Sequence, residues 1–145
     1  MLITVLGIAL TMAQPQEAHP QPASPPAGTG LVIHEADSMV RQRPPHNGTG
    51  ESTAYRISDS APNRSMEFRK RIMHPGSSIG LHVIAHDEVY YVLSGEGVVM
   101  SDGVTTRVVA GDAAYLYDGS NVGIAQVGAD DLVLIIAYPL AHRAD

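Results

Sequence analysis

The side chains able to do chemistry crowd into residues 81–91, LHVIAHDEVYY. His82 stands six residues before Glu88, with a second imidazole at His86 and a phenol at Tyr90. Alternate residues of an extended chain point to one face, so His82, Ile84, His86, Glu88 and Tyr90 share a parity. An imidazole beside a carboxylate in a low-dielectric interior holds its proton more readily. His82 and Glu88, helped by Tyr90, could therefore act as a general acid/base dyad without metal, or ligate a divalent ion. The bland alternative is two buried polar groups that satisfy each other. His86 lies about 13 Å along an extended strand from His82, so it joins the same ion only if the chain turns near Ala85. Otherwise it is a hairpin-tip histidine at a pocket rim beside Asp87.

Other candidates stand further off. Tyr115 and Tyr117 can donate a hydrogen bond to a polar ligand or stack on a ring, or simply pack. Four of the nine basic residues are Arg64, Arg69, Lys70 and Arg71. Met66, Phe68 and Ile72 fall on one strand face, and Glu67, Arg69 and Arg71 on the other. If the second face lines an interior, Arg71 or Arg69 can clamp a carboxylate bidentately. The apolar face reads more naturally as core, so the expectation is that the arginine face meets solvent.

The elements that must position these groups are short strands. From Arg64 onward the pattern has period two, in runs near 64–73, 79–86, 88–93, 97–100, 104–109, 113–117, 122–127 and 132–138. Turn residues separate them: His74-Pro75-Gly76, Ser94-Gly95-Glu96-Gly97, Asp102-Gly103, Gly111-Asp112, Asp118-Gly119 and Gly128-Ala129-Asp130. Asp102-Gly103 is a strong two-residue hairpin signal, because the primed turns need positive φ. No convincing helix follows residue 60. Arg41–Ser52, with two prolines and two glycines, reads as a loop. The pattern predicts an all-β barrel or jelly roll.

Composition limits the rest. The chain has 145 residues, 44% of them hydrophobic, with no Trp and one Phe, so the core must rest on Val, Ile, Leu, Ala and Tyr. A net charge of −6 disfavours a general nucleic-acid binder. The absence of cysteine removes disulfides, thiolate ligands and a cysteine nucleophile. No apolar run is long enough to span a bilayer as a helix. Residues 1–13, MLITVLGIALTMA, resemble a signal peptide ending in a small-x-small pattern, although no Lys or Arg precedes the apolar run. Residues 14–30 carry five prolines and read as an extended tether. The folded domain is expected over 31–145, its barrel core near 60–140, in a secreted or periplasmic protein. Without a signal it would stay in the cytoplasm. Asn47 and Asn63 head glycosylation sequons, which matter only in a eukaryotic secretory pathway.

Gly76, His82, Glu88 and Gly95, in PGSSIGLHVIAHDEVYYVLSGEG, fall on the spacing of the first cupin motif, and Gly111–Gly123 resembles the second. The chain is similar to small single-domain cupins, with an RmlC-like jelly roll. The resemblance implies a double-stranded β-helix, a site in the barrel mouth and a homodimer. It also implies a ligand set of three histidines and one glutamate for Mn, Fe, Ni or Zn. Ile84 and Val122 stand at two of those four places, so only His82 and Glu88 remain, with His86 as a substitute ligand. If Val122 points inward as its family counterpart does, Gln126 does too, where its amide suits a substrate hydrogen bond better than a metal.

The favoured function is therefore a barrel that binds a small polar molecule, a sugar or a carboxylate, around His82 and Glu88, with Gln126, Tyr117 and Arg71 as further contacts. The alternatives are a divalent-metal dioxygenase or isomerase with a degenerate ligand set, and a metal-free epimerase-like enzyme.

Overall fold

Period-two alternation builds ten strands, which stack as two antiparallel sheets in the computed structural model; it describes residues 29–141. The strands are β1 (Met39–Gln42), β2 (Ser52–Tyr55), β3 (Met66–Met73), β4 (Ser78–Val83) and β5 (Glu88–Ser94). They continue with β6 (Glu96–Ser101), β7 (Val104–Val109), β8 (Ala113–Leu116), β9 (Asn121–Val127) and β10 (Leu132–Pro139). Single 3-10 turns at Glu35–Ser38 and Ile57–Ser60 precede β1 and β3. The larger sheet has the order β1-β2-β3-β10-β5-β8, the smaller β4-β9-β6-β7. This is the expected jelly roll. The segments read as signal and most of the tether lie outside the described residues. Among those described, no helix is long and apolar enough to cross a membrane.

The core lies between the sheets and is aliphatic, as the scarcity of aromatics requires. Val122 and Ile124 of β9 and Leu132 and Leu134 of β10 are fully buried, with Tyr90 the large ring among them. Turn chemistry sets the register. Asp102 and Gly103 both take positive φ, 48° and 83°, and the hairpin they make pairs Ser101 with Val104, as a primed turn demands.

Three expectations change. Arg41–Ser52 is not all loop: Arg41 and Gln42 lie in β1, Ser52 opens β2, and these strands extend the larger sheet beyond β3. The run expected over 79–86 ends at Val83, where the chain bends. Strand β3 is turned over: Glu67, Arg71 and Met73 are buried while Met66 and Phe68 are exposed. The register explains the inversion. Arg71 pairs with Leu134 and Ala54, both fully buried, so its side of the sheet is the inside.

Candidate functional site

At one end the two sheets do not meet in hydrocarbon. A cavity of about 360 Å³ opens there, walled by Arg69 and Arg71 of β3, His82 of β4, Glu88 and Tyr90 of β5, and Tyr138 of β10. His46 and His86 complete it from the loops before β2 and after β4. His82, His86, Glu88, Tyr90 and Arg71 thus come together as sequence candidates. Gln126 and Tyr117 do not join them. Tyr117 is 67% exposed on the outside, tilted against Tyr115, which is exposed too. Gln126 is buried, but its amide is fully engaged: Oε1 accepts from Gly76 N–H at 2.8 Å, and Nε2 lies 2.7–2.9 Å from the carbonyls of Val127, Gly128 and Asp130. It pins the β9–β10 turn and has nothing left for a ligand.

His82 and Glu88 share the cavity but do not pair. No hydrogen bond or ion pair joins them among the described residues. His82 Nδ1 lies 2.9 Å from the Gly80 carbonyl, and a carbonyl only accepts, so Nδ1 carries the hydrogen. The ring stacks on His46, centroids 3.4 Å apart and planes within 5°. The imidazole that faces Glu88 is His86, Nε2 to Oε2 3.8 Å, held by stacking on Tyr138 with centroids 4.3 Å apart. His86 lies in the bend between β4 and β5, its side chain 28% exposed, and so stands at the rim of the cavity. His86 Nε2 is sealed from water without a hydrogen-bond partner.

His46 and Tyr138 escaped the sequence reading. The only trace of His46 was a pair of glycines. A Cβ on Gly80 would lie 1.8 Å from the His46 carbonyl oxygen, and one on Gly48 equally close to that of Ser78. Only glycine at both places lets the loop press on β4, where Ser78 N–H donates to Thr49 O and Gly80 N–H to Pro45 O.

Charge is distributed unevenly around the cavity. Arg69 is neutralised by Glu67, with Nη2 to Oε1 2.7 Å, and donates to the Tyr138 hydroxyl at 3.2 Å. Arg71 is different. It is 1% exposed, its Nη1 donates to Ser52 Oγ at 2.7 Å, its Nε is buried without a partner, and no carboxylate pairs with it among the described residues. Burial, then the neighbouring cations Arg69 and Arg56, pull its pKa down to about 10. Burial pushes the Glu88 carboxyl up to about 7, against the pull of Arg69. Burial thus favours the protonated carboxyl, which offers a donor as well as an acceptor. Burial chiefly, and then His82 and Arg71, hold His46 below the usual imidazole range. Burial also raises the Tyr90 phenol, which stays protonated.

These residues do not fit a divalent metal. Ile84 and Val122, at two of the four family places, are buried hydrocarbon. The lone pairs of His46 and His82 lie in parallel planes and do not converge, whereas a bound ion needs convergent donors about 2.1 Å away. An unpaired guanidinium in the same wall opposes a dication. Among the described residues no group of three or more His, Asp or Glu is placed to hold a metal ion. The set His82, Glu88 and His86 expected from sequence therefore does not gather as a ligand triad, and the His82 ring is stacked on His46 instead.

Residues 70–138 match the sequence family described as the cupin domain. The oxalate-binding protein of Thermotoga maritima is 34% identical over 109 residues, spanning 72% of this chain and 90% of that protein. Among solved structures, one described as a predicted oxalate decarboxylase from Thermotoga maritima superposes with a TM-score of 0.68 at 28% identity, covering 76% of this chain and 99% of that one. An RmlC-like cupin from Shewanella frigidimarina gives a TM-score of 0.61 at 19% identity, with 79% and 95% covered; at that distance the likeness shows the fold alone.

Proposed function

The chain belongs to the cupin family, and from that premise we propose that its barrel cavity binds a small carboxylate, oxalate or a similarly short dianion, directly on Arg71. The observation that carries this reading is the buried guanidinium without a counter-ion. Such a charge is costly inside a protein, and an entering carboxylate with charge-assisted hydrogen bonds offsets that cost. The name of the Thermotoga maritima relative supports oxalate as the ligand class. A dianion has a second carboxylate to place, and the same cavity holds Glu88, a donor when protonated. Tyr90 and Tyr138 add phenols on the β5 and β10 walls. Glu88, when protonated, here orients a ligand by donating a hydrogen bond. The apolar leader at 1–13 and the Pro-rich stretch at 14–30 extend the proposal to an exported domain held on a tether.

Titration calorimetry of the full chain with sodium oxalate, after dialysis against a chelator, tests this. Stoichiometric heat is expected without added metal. Arg71→Met should weaken binding about 100-fold, the loss of roughly 3 kcal/mol from a charge-assisted contact, with the melting transition retained. Silence with millimolar oxalate, equal binding by Arg71→Met, or heat that returns only with Mn²⁺ would each overturn it.

A further inference from the structure

Away from the barrel cavity, three side chains from separate elements form one hydrogen-bonded chain. Thr53 of β2 holds its Oγ1 3.2 Å from Nε2 of His74, the residue after β3. Nδ1 of the same ring lies 3.0 Å from Oδ1 of Asp131, the residue before β10. A carboxylate only accepts, so Nδ1 carries the hydrogen and Nε2 turns its lone pair to the Thr53 hydroxyl. Hydroxyl, imidazole and carboxylate in that order are a nucleophile, its general base and the group that orients the base. The turn that presents Asp131 is pinned at Asp130 by Gln126, which fixes the third member. A second cavity of about 240 Å³ opens beside the chain, walled by Thr53 and His74 together with Arg41, Arg43 and Glu51. Thr53 and Arg41 are direct partners in the β1–β2 register, and opposed residues of a ladder put their side chains on one face. Ser52 turns inward to Arg71, so Thr53 faces the other side of β2. Two guanidiniums against one carboxylate make this wall positive in a chain of net charge −6.

We propose that Thr53, His74 and Asp131 form a hydrolytic site for short carboxylic esters whose acyl part bears a second carboxylate. Thr53 Oγ1 attacks the ester carbonyl carbon, its proton passes to His74 Nε2, and the carbonyl electron pair moves to oxygen. Arg41, directly across the ladder from Thr53, stabilises that oxyanion, and Arg43 takes the distant carboxylate. The oxyanion collapses, the bond to the leaving oxygen breaks, and the alcohol departs with the proton from Nε2. Water then attacks the acyl group on Thr53 and gives its proton to Nε2. The acid leaves, and Thr53 takes that proton back. Ester and water enter, alcohol and acid leave, and no other reactant is consumed. Asp131 touches no substrate. It is a positioning residue that holds the ring in its working tautomer and balances the imidazolium formed in each step.

Hydrolysis of the 4-nitrophenyl half-ester of succinic acid by the full chain tests the proposal. Nitrophenolate should appear faster than in buffer. Thr53→Val keeps the branched shape at Cβ and should return the rate to that of buffer, whereas Thr53→Ser should retain it. Asp131→Asn should lower kcat roughly 100-fold, the scale of a general base, with KM unchanged. The neutral ester 4-nitrophenyl acetate should react with a kcat/KM roughly tenfold lower, the size of one charge-assisted contact, and Arg43→Met should close that gap. Circular dichroism checks that each variant is folded. A wild type no faster than buffer overturns the proposal, as does release that survives in Thr53→Val or an Asp131→Asn variant with unaltered kcat. Equal rates with both esters overturn the substrate class. Loss of oxalate binding alone bears on the barrel cavity and not on this site.

Discussion

Strands β3 and β9 stand on facing sheets and solve opposite problems. Strand β9 is conventional: Val122 and Ile124 point inward and are fully buried, while Asn121 is exposed. Strand β3 is inverted: Glu67 and Arg71 point inward and Met66 and Phe68 outward. A strand can be inverted only if its neighbours accept both faces. Inside, Ser52, the Glu67–Arg69 pair and an open cavity receive the polar groups. Outside, the apolar side chains of Met66 and Phe68 stand exposed. The difference teaches that inward position does not imply hydrocarbon: a strand face that lines an open cavity carries different residues from one that meets a packed core.

The largest effect that sharpens this contrast falls on the conventional side. Ile124→Ala removes a fully buried side chain from β9 and should cost about 3–4 kcal/mol, near the upper end of the large-to-small range. Chemical denaturation measures it. Oxalate affinity of the folded fraction should not change, because Ile124 does not wall the cavity. A loss below about 1 kcal/mol would mean that β9 is not the packed half.

On the inverted side the matching effect is pH-dependent. Glu88 moves from 4.5 to about 7 on folding. A raised pKa means the folded state binds the proton more tightly, so this contribution is fully present below pH 4.5 and is lost as pH rises through about 7. The full swing is about 3 kcal/mol. Stability measured from pH 4.5 to 8 should fall by that order, and Glu88→Gln should flatten the slope. Oxalate binding should weaken over the same range as Glu88 becomes an anion. A Glu88→Gln variant with an undiminished slope would place the titrating group elsewhere.

Much of this was legible in the sequence because it is local. Asp102-Gly103 and the glycines at 95, 111 and 128 mark turns whose φ values are positive, as those turn types require. The strands between them follow within a residue or two. The sidedness of β3 was not legible. Its two faces are set by Ala54 and Leu134, contributed from 17 residues upstream and 63 downstream of Arg71, and alternation alone carries no inside or outside. The cavity was half legible for the same reason. His82, His86 and Glu88 sit in one motif, but His46 arrives through a loop contact, and the approach of His86 rather than His82 to Glu88 depends on a bend after Val83 that parity assumed away. The ligand departures at Ile84 and Val122 were readable. The burial of Arg71 was not, because it looks like any surface arginine until its register is known.

A smaller effect tests the boundary between the two halves. Gln126 continues the inward parity of Val122 and Ile124 on β9 yet is polar, and it holds the Gly76 N–H and three turn carbonyls. Gln126→Leu keeps the volume and leaves those groups without partners. It should cost about 2 kcal/mol, the penalty of one or two buried unsatisfied groups, with oxalate affinity unchanged. A specific loss of oxalate binding at unchanged stability would return Gln126 to the ligand site.

The smallest effect has the opposite sign and separates the two strands most cleanly. If the interior of β3 is built for a ligand, its polar groups cost stability whenever the ligand is away. Arg71→Met removes a buried, unpaired cation and leaves an unbranched apolar side chain beside Tyr90 and Ile136. Replacing a buried charge by hydrocarbon is often neutral or stabilising, and loss of the bond to Ser52 offsets part of the gain. The ligand-free variant should therefore melt slightly higher than the wild type, by about 1 kcal/mol at most. Saturating oxalate should reverse the order, because bound ligand stabilises only the chain that binds it. A ligand-free Arg71→Met that is markedly less stable would make Arg71 a structural element of the sheet, and the contrast between β3 and β9 would then be one of packing alone.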